Sequence, residues 1–164
     1  MSASVSKFPL EPLRSVREIR LRKLETEMKA CRERWAAAER RRIEATERWD
    51  QSLQHRENFA ASSWRELLDK GSPTGAALNR HERHLALLDQ VVRQLRAEMD
   101  ARSRECATAA EALEQAAADW RRAHSKLDAL GEMKQEWLRQ AQSQQALREE
   151  HSLEELMLRH PTLR

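Results

Sequence analysis

Apolar residues recur at every seventh position along the second half of the chain. The series begins at Leu78 and stays apolar as far as Ala141, except at Lys134, and a second, less regular series follows three residues later. The first series comprises Leu78, Leu85, Val92, Met99, Cys106, Leu113, Trp120, Leu127, Lys134 and Ala141. A seven-residue repeat of this length predicts a helix that winds around a neighbouring helix in a left-handed coiled coil.

The first half of the chain carries a similar apolar seam with one change of step. Its members are Leu21, Leu24, Met28, Cys31, Trp35, Ala38, Ala45 and Trp49, followed by Leu53, Ala60, Trp64 and Leu67. The step of four residues from Trp49 to Leu53 is a stutter, which locally unwinds a coiled coil. The pattern predicts a second long helix, with Trp64 on its seam.

Proline and glycine are rare within both helical stretches and gather between them. Gly71 can close the first helix in a left-handed conformation, Ser72 can cap the second, and Pro73 suits the first helical position. Pro161 is expected to end the second helix. The predicted elements are helix one over about 10–69, a turn over 70–75 and helix two over about 74–159.

A link this short favours two neighbouring helices that run in opposite directions. A turn centred near residues 72 and 73 pairs positions whose numbers sum to about 145, which places Cys106 opposite Glu39. Cys31 falls opposite Glu114, so the two cysteines are expected to lie too far apart for a disulfide. The sequence therefore predicts an all-α fold, a long antiparallel two-helix coiled-coil hairpin that forms a single domain over residues 1–164.

Helix two is predicted to be longer than helix one, at ~130 Å against ~90 Å for a rise of 1.5 Å per residue. Its far end should therefore overhang the hairpin. The overhang would contain Trp137, Leu138 and the stretch 153–160, whose apolar residues are expected to lack a partner within the chain. Unpaired apolar surface of this kind usually marks contact with another molecule.

The number and distribution of charged residues argue against a compact globular fold and against nucleic-acid binding. Charged residues make up 35% of the 164 residues, with 30 basic and 27 acidic side chains, and the formal net charge is only +3. A compact core is hard to build from such a composition, whereas a rod needs only a narrow apolar seam. Because acidic residues are interspersed among the basic ones, nucleic-acid binding is not expected.

Candidate chemistry is sparse. The sequence has no Gly-rich phosphate loop and no catalytic constellation, so neither an enzyme nor a bound cofactor is expected. His81 and His84 lie three residues apart on a helix but lack a third ligand, so no metal site is expected. The absence of a signal-like segment or a run of about 18 apolar residues predicts a cytoplasmic protein that is not embedded in a membrane.

Three stretches resemble the FliJ/YscO family, the central stalk proteins of flagellar and virulence-associated type III secretion systems. The segment 119–130, Asp-Trp-Arg-Arg-Ala-His-Ser-Lys-Leu-Asp-Ala-Leu, is similar to the tryptophan-led segment of the family's second helix. The opening of helix two, Leu78-Asn79-Arg80, and the charged end from Glu154 to His160 are also similar to the family. The resemblance extends over nearly the whole chain in length and layout.

The resemblance implies a stalk at the inner-membrane base of a secretion apparatus, monomeric when alone. Such a stalk inserts the end that carries both termini into a hexameric export ATPase, activates it and links it to a membrane export gate protein; some members escort secretion chaperones. The residues that this implies for ATPase binding are Arg17, Arg20, Arg22, Lys23, Arg121, Arg122, Trp137, Leu156 and Leu158. Those implied for gate or chaperone binding are Trp49, Phe59, Val91 and Leu95.

Two other functions stay open at the level of the sequence. A generic coiled-coil scaffold or tether would dimerise at low concentration, through the overhang for example. A polyanion or nucleic-acid binder that uses the basic end would lose affinity steeply as salt rises. A stalk differs from both, because its apolar seam is satisfied within one chain.

Overall fold

The computed structural model describes residues 7–159. Over this range the chain forms two helices that pack against each other, α1 (Glu11–Asp69) and α2 (Gly75–Arg159), and no strand. The predicted all-α helical hairpin is confirmed, with each helix beginning within about one residue of the predicted position. Pro161, which was expected to end α2, lies outside the described residues.

The turn between the helices is capped on both sides. Gly71 has a φ of 95°, and its N–H donates to the carbonyl of Leu68 at 3.2 Å, so the predicted left-handed end of α1 is confirmed. The predicted cap of α2 at Ser72 is wrong, and Pro73 precedes the helix. Thr74 is the cap, because its Oγ1 accepts from the N–H of Ala77 at 3.3 Å, three residues into the helix.

The contacts divide the chain into two compact units, and each contains a segment of both helices. The turn unit spans Met28–Ala116. The terminal unit combines the described residues up to Glu27 with those from Ala117 onward.

The turn unit is held by a small apolar seam and by polar bridges between the helices. Ala38, Ala45 and Cys106 are its buried residues. The bridges join Cys106 Sγ to Glu39 Oε2 at 3.0 Å, Arg48 to Glu98 at 3.1 Å and Arg56 to Asp89 at 2.8 Å. Their residue numbers sum to 145 or 146, which confirms the predicted register in this unit.

The stutter predicted for α1 is not confirmed. Ser52 and Phe59 are shielded at seven-residue steps from Ala45, and Arg56 is shielded seven residues after Trp49, so the seam continues without a change of step. Beyond them Ser63 is shielded, whereas Trp64 is 49% exposed. Trp64 is therefore not a seam residue, because the seven-residue phase of Trp49 and Arg56 places Ser63 on the seam and turns the tryptophan outward.

The terminal unit follows the same register. Leu130 is its most buried residue, at 3% exposure, and Lys134 Nζ bridges to Glu11 Oε2 at 2.8 Å. Lys134 interrupts the apolar series in the sequence, and the structure explains it as a seam position whose charged end pairs across the helices.

The overhang is shorter than predicted. Phe8, only 8% exposed, precedes α1 and packs edge-on against Trp137, with ring centroids 5.9 Å apart. Trp137 was expected to lack a partner within the chain, and this expectation is wrong, because residues before α1 extend the packing past the helix start. From Gln142 to Leu158 every residue of α2 is exposed. We call the segment 142–158 the overhang.

Candidate protein-binding surfaces

The terminal unit contains a groove with an excess of positive charge. It has a volume of about 360 Å³ and is lined by Arg17, Arg20, Leu24, Asp119, Arg122, Ala123 and Lys126. We call it the basic groove. Four of the seven lining residues are cations and one is a carboxylate.

Helical spacing places these side chains together. The α1 residues fall at intervals of three and four, and the α2 residues do the same, so each set occupies one face of its helix. Arg17 reaches across, where its Nη1 donates to the carbonyl oxygen of Lys126 at 2.8 Å. Arg122 forms an ion pair with Asp119, one turn before it on α2. The Arg17 bridge fixes one wall of the basic groove against the other.

The structure separates the six basic residues implied for ATPase binding into two groups. Arg17, Arg20 and Arg122 line the basic groove. Arg22, Lys23 and Arg121 are exposed in the same unit but do not line it. Lys126 does line it and was not among the predicted site residues, although it lies four residues after Arg122, a spacing that could have found it.

The overhang exposes large apolar side chains to solvent. The exposed fractions are 57% for Leu156 and 81% for Leu158, the two residues predicted for ATPase binding. Leu147, Leu153 and Met157 are exposed to a similar degree. Trp137, by contrast, is partly covered by Phe8 and presents less surface than the prediction assumed.

The four residues predicted for gate or chaperone binding all lie in the turn unit, in different surroundings. Val91 is 43% exposed, whereas Leu95 is half-buried on the α2 seam. Trp49 is also half-buried, and its Nε1 is buried without a hydrogen-bond partner. Phe59 is half-buried against two histidine rings. Val91 is thus the most accessible of the four.

Phe59 is the centre of a small aromatic cluster near the turn. Its ring lies 4.4 Å from that of His84 and 5.6 Å from that of His81, measured between centroids. His81 Nδ1 also lies 3.0 Å from Ser63 Oγ. The two histidines therefore pack against a phenylalanine, and no group of three metal-ligating side chains occurs among residues 7–159.

Hydrogen bonds from neighbouring side chains lower the pKa of two carboxyl groups, those of Glu39 and Glu11. The hydrogen bonds from Arg42 and then from Cys106 lower the pKa of Glu39 from 4.5 to about 2. The hydrogen bond from Lys134 lowers the pKa of Glu11. Conversely, the bond to Glu39 and burial raise the pKa of the Cys106 thiol. These shifts favour the charged carboxylates and the protonated thiol, which suits bridges between helices rather than acid–base catalysis.

No helix within the described range is both long and apolar enough to cross a membrane. The two cysteines are free, as the register predicted.

The family model described as YscO-like protein matches residues 5–158. The chain belongs to the YscO-like family. The resemblance to the FliJ/YscO family is thereby confirmed, and membership of the YscO-like family indicates a role related to type III secretion. Comparisons with the curated proteins and with the solved structures gave no significant match.

Proposed function

We propose that this YscO-like chain is the central stalk of a type III protein export apparatus. In this proposal the terminal unit binds and activates the hexameric export ATPase in the cytoplasm, at the inner-membrane base of the apparatus. The turn unit contacts the export gate protein or a secretion chaperone, with Val91 as its most accessible predicted contact.

The observation that carries the proposal is the exposed overhang. A helical segment with five large apolar residues in solvent is unusual for a protein with no partner. Its most exposed members are Met157 and Leu158, at 78% and 81%. Burial of what remains exposed would contribute about 1–2 kcal/mol per side chain, which favours binding against the cost of association.

The mechanism follows from symmetry. A single two-helix chain has no sixfold symmetry, so each subunit of a surrounding hexamer meets a different face of it. Contacts that differ among subunits can favour one ATP site over the others at a given moment. Binding to several subunits at once also favours ring assembly by mass action.

The test is the ATPase rate of the cognate export ATPase, titrated with the full chain. We expect the rate to rise and to saturate near one chain per hexamer. The double variant Leu156→Ser/Leu158→Ser should need at least about tenfold more protein for the same effect, because two exposed anchors are lost. Leu87→Ser is the matched control, since Leu87 is 60% exposed but lies in the turn unit.

Either of two results would contradict the proposal. One is an unchanged ATPase rate together with no co-migration of the chain and the ATPase on a sizing column. The other is dimerisation of the chain alone that the overhang substitutions abolish, which would support the scaffold function instead.

A further inference from the structure

The basic groove differs from the rest of the charged surface in the balance of its charges. Several cations elsewhere in the terminal unit pair with acids, as where Arg14 Nε bridges to Glu18 at 3.2 Å. In the groove, Arg17, Arg20 and Lys126 share the space with one carboxylate, Asp119, which is already paired with Arg122. The groove therefore has an excess of positive charge that the lining residues do not neutralise.

The lining of the groove also includes apolar side chains. These are Leu24 on α1 and Ala123 on α2, and the α1 wall is fixed by the bond from Arg17 to the Lys126 carbonyl. Such a groove can hold the aliphatic stem of a Glu side chain while the cations bind its carboxylate. Arginine forms paired hydrogen bonds with carboxylates, which adds geometric selectivity to the attraction.

The spacing of the cations indicates the form of the ligand. Arg17 and Arg20 lie three residues apart on α1, and Arg122 and Lys126 lie four apart on α2, about one helical turn in each case. Carboxylates one turn apart on a partner helix would match this repeat. A nucleic-acid backbone would extend along the helices, where acidic residues are interspersed among the basic ones.

We propose that the basic groove binds an acidic helix of a partner protein, through carboxylates placed one helical turn apart. This proposal rests on the proposed function, because we expect the acidic helix to be part of the export ATPase. Arg17, Arg20 and Lys126 bind the carboxylates, and Arg17 also fixes the wall through its bond to the Lys126 carbonyl. Arg122 remains paired with Asp119. Arg22 and Lys23, which the family resemblance also implied, do not take part.

The first experiment uses a probe of defined chemistry. The probe is a fluorescent Ala-based helical peptide with Glu residues four apart on one face. Its binding to the full chain is measured at low and at moderate salt concentration. We expect binding that weakens as salt rises. The same peptide with Gln in place of Glu should bind at least about tenfold more weakly.

Two charge reversals of equal size locate the binding site. Arg20→Glu/Lys126→Glu changes two exposed groove residues, and Arg22→Glu/Lys23→Glu changes two exposed residues of the same unit outside the groove. The first should weaken peptide binding at least about tenfold, and the second by no more than about twofold. Circular dichroism melts of both variants check that the hairpin is intact.

The same variants in the ATPase assay separate this proposal from the proposed function. We expect the groove variant to shift half-maximal stimulation to at least about tenfold higher protein, while the control variant stays near the wild type. Stimulation that is equally impaired by both reversals, or by neither, would overturn the acidic-helix proposal and leave the stalk function standing. Absent stimulation by the wild type would instead refute the stalk function, and the peptide result would still decide the groove. Tighter binding of a single-stranded oligonucleotide than of the Glu peptide would overturn the proposal in favour of a polyanion site.

Discussion

The contact between Phe8 and Trp137 makes a quantitative prediction about how α1 begins. Replacing Phe8 with Ala removes a side chain that is 8% exposed and packs edge-on against the indole. Burial of a phenylalanine contributes about 1.5–3 kcal/mol, and an edge-to-face aromatic pair adds about 0.5–1.5 kcal/mol. The substitution should therefore cost about 2–4 kcal/mol of local stability.

Amide hydrogen exchange is the direct assay, because the first turn of α1 depends on this contact. The N–H of Glu11 donates to the carbonyl of Phe8 at 3.1 Å, and that of Arg14 donates to the carbonyl of Leu10 at 3.0 Å. A loss of 2–4 kcal/mol corresponds to about 30- to 1,000-fold faster exchange of these two amides through local opening. Amides of the turn unit should keep their wild-type rates.

Two controls make the result specific. Phe8→Leu keeps most of the burial and loses only the aromatic geometry, so it should cost about 1 kcal/mol. Val16→Ala lies on the same part of α1, but Val16 is 61% exposed, and it should change stability by less than about 0.5 kcal/mol. Unchanged exchange of Glu11 and Arg14 in the Phe8→Ala protein would refute the idea that this ring holds the helix start.

Three further predictions concern the seam. Leu130→Ala should destabilise the chain by about 2–4 kcal/mol in urea unfolding, because the Leu130 side chain is only 3% exposed. Leu153→Ala should be nearly neutral, because Leu153 is 62% exposed. Equal losses of stability in the two variants would contradict this packing. The pKa of Glu39 falls from 4.5 to about 2 on folding, so its contribution to stability is present above 4.5 and is lost as the pH falls toward 2. Glu39→Gln should flatten that part of the plot of thermal midpoint against pH, and an unaltered slope would exclude this linkage. Cys31 should react with a maleimide in the folded chain, and Cys106, which is buried with a raised pKa, should react mainly after unfolding; similar rates for both would contradict the structure.

The register of the hairpin could be predicted because very few variables determine it. Once the helices and the short turn are recognised, the sum of the residue numbers of two facing positions is the same along the hairpin. This sum placed Glu39 opposite Cys106, where the structure has a 3.0 Å hydrogen bond. The individual cations of the terminal unit were also visible in the sequence. Which cations share a groove was not, because that depends on faces contributed by two helices.

The errors lie where periodicity gives no information. Ser72 and Thr74 are both competent caps, and the backbone after the turn decides between them in favour of Thr74. Phe8 precedes the periodic region, so its packing against Trp137 left no repeat to detect. Trp64 was placed on the seam by the predicted stutter, but the uninterrupted seven-residue phase of Trp49 assigns that position to Ser63.

The fixed pairing of positions also constrains how the length of this chain can change during evolution. An insertion or deletion within the paired part of one helix shifts every later residue off its partner, so it is tolerated only with a compensating change of the same size in the other helix. Multiples of seven preserve the seam best. The overhang is less constrained, since its residues are exposed and none of residues 7–159 packs over them. We expect related genes to vary in length by matched steps before residue 141 of α2 and by arbitrary steps after it.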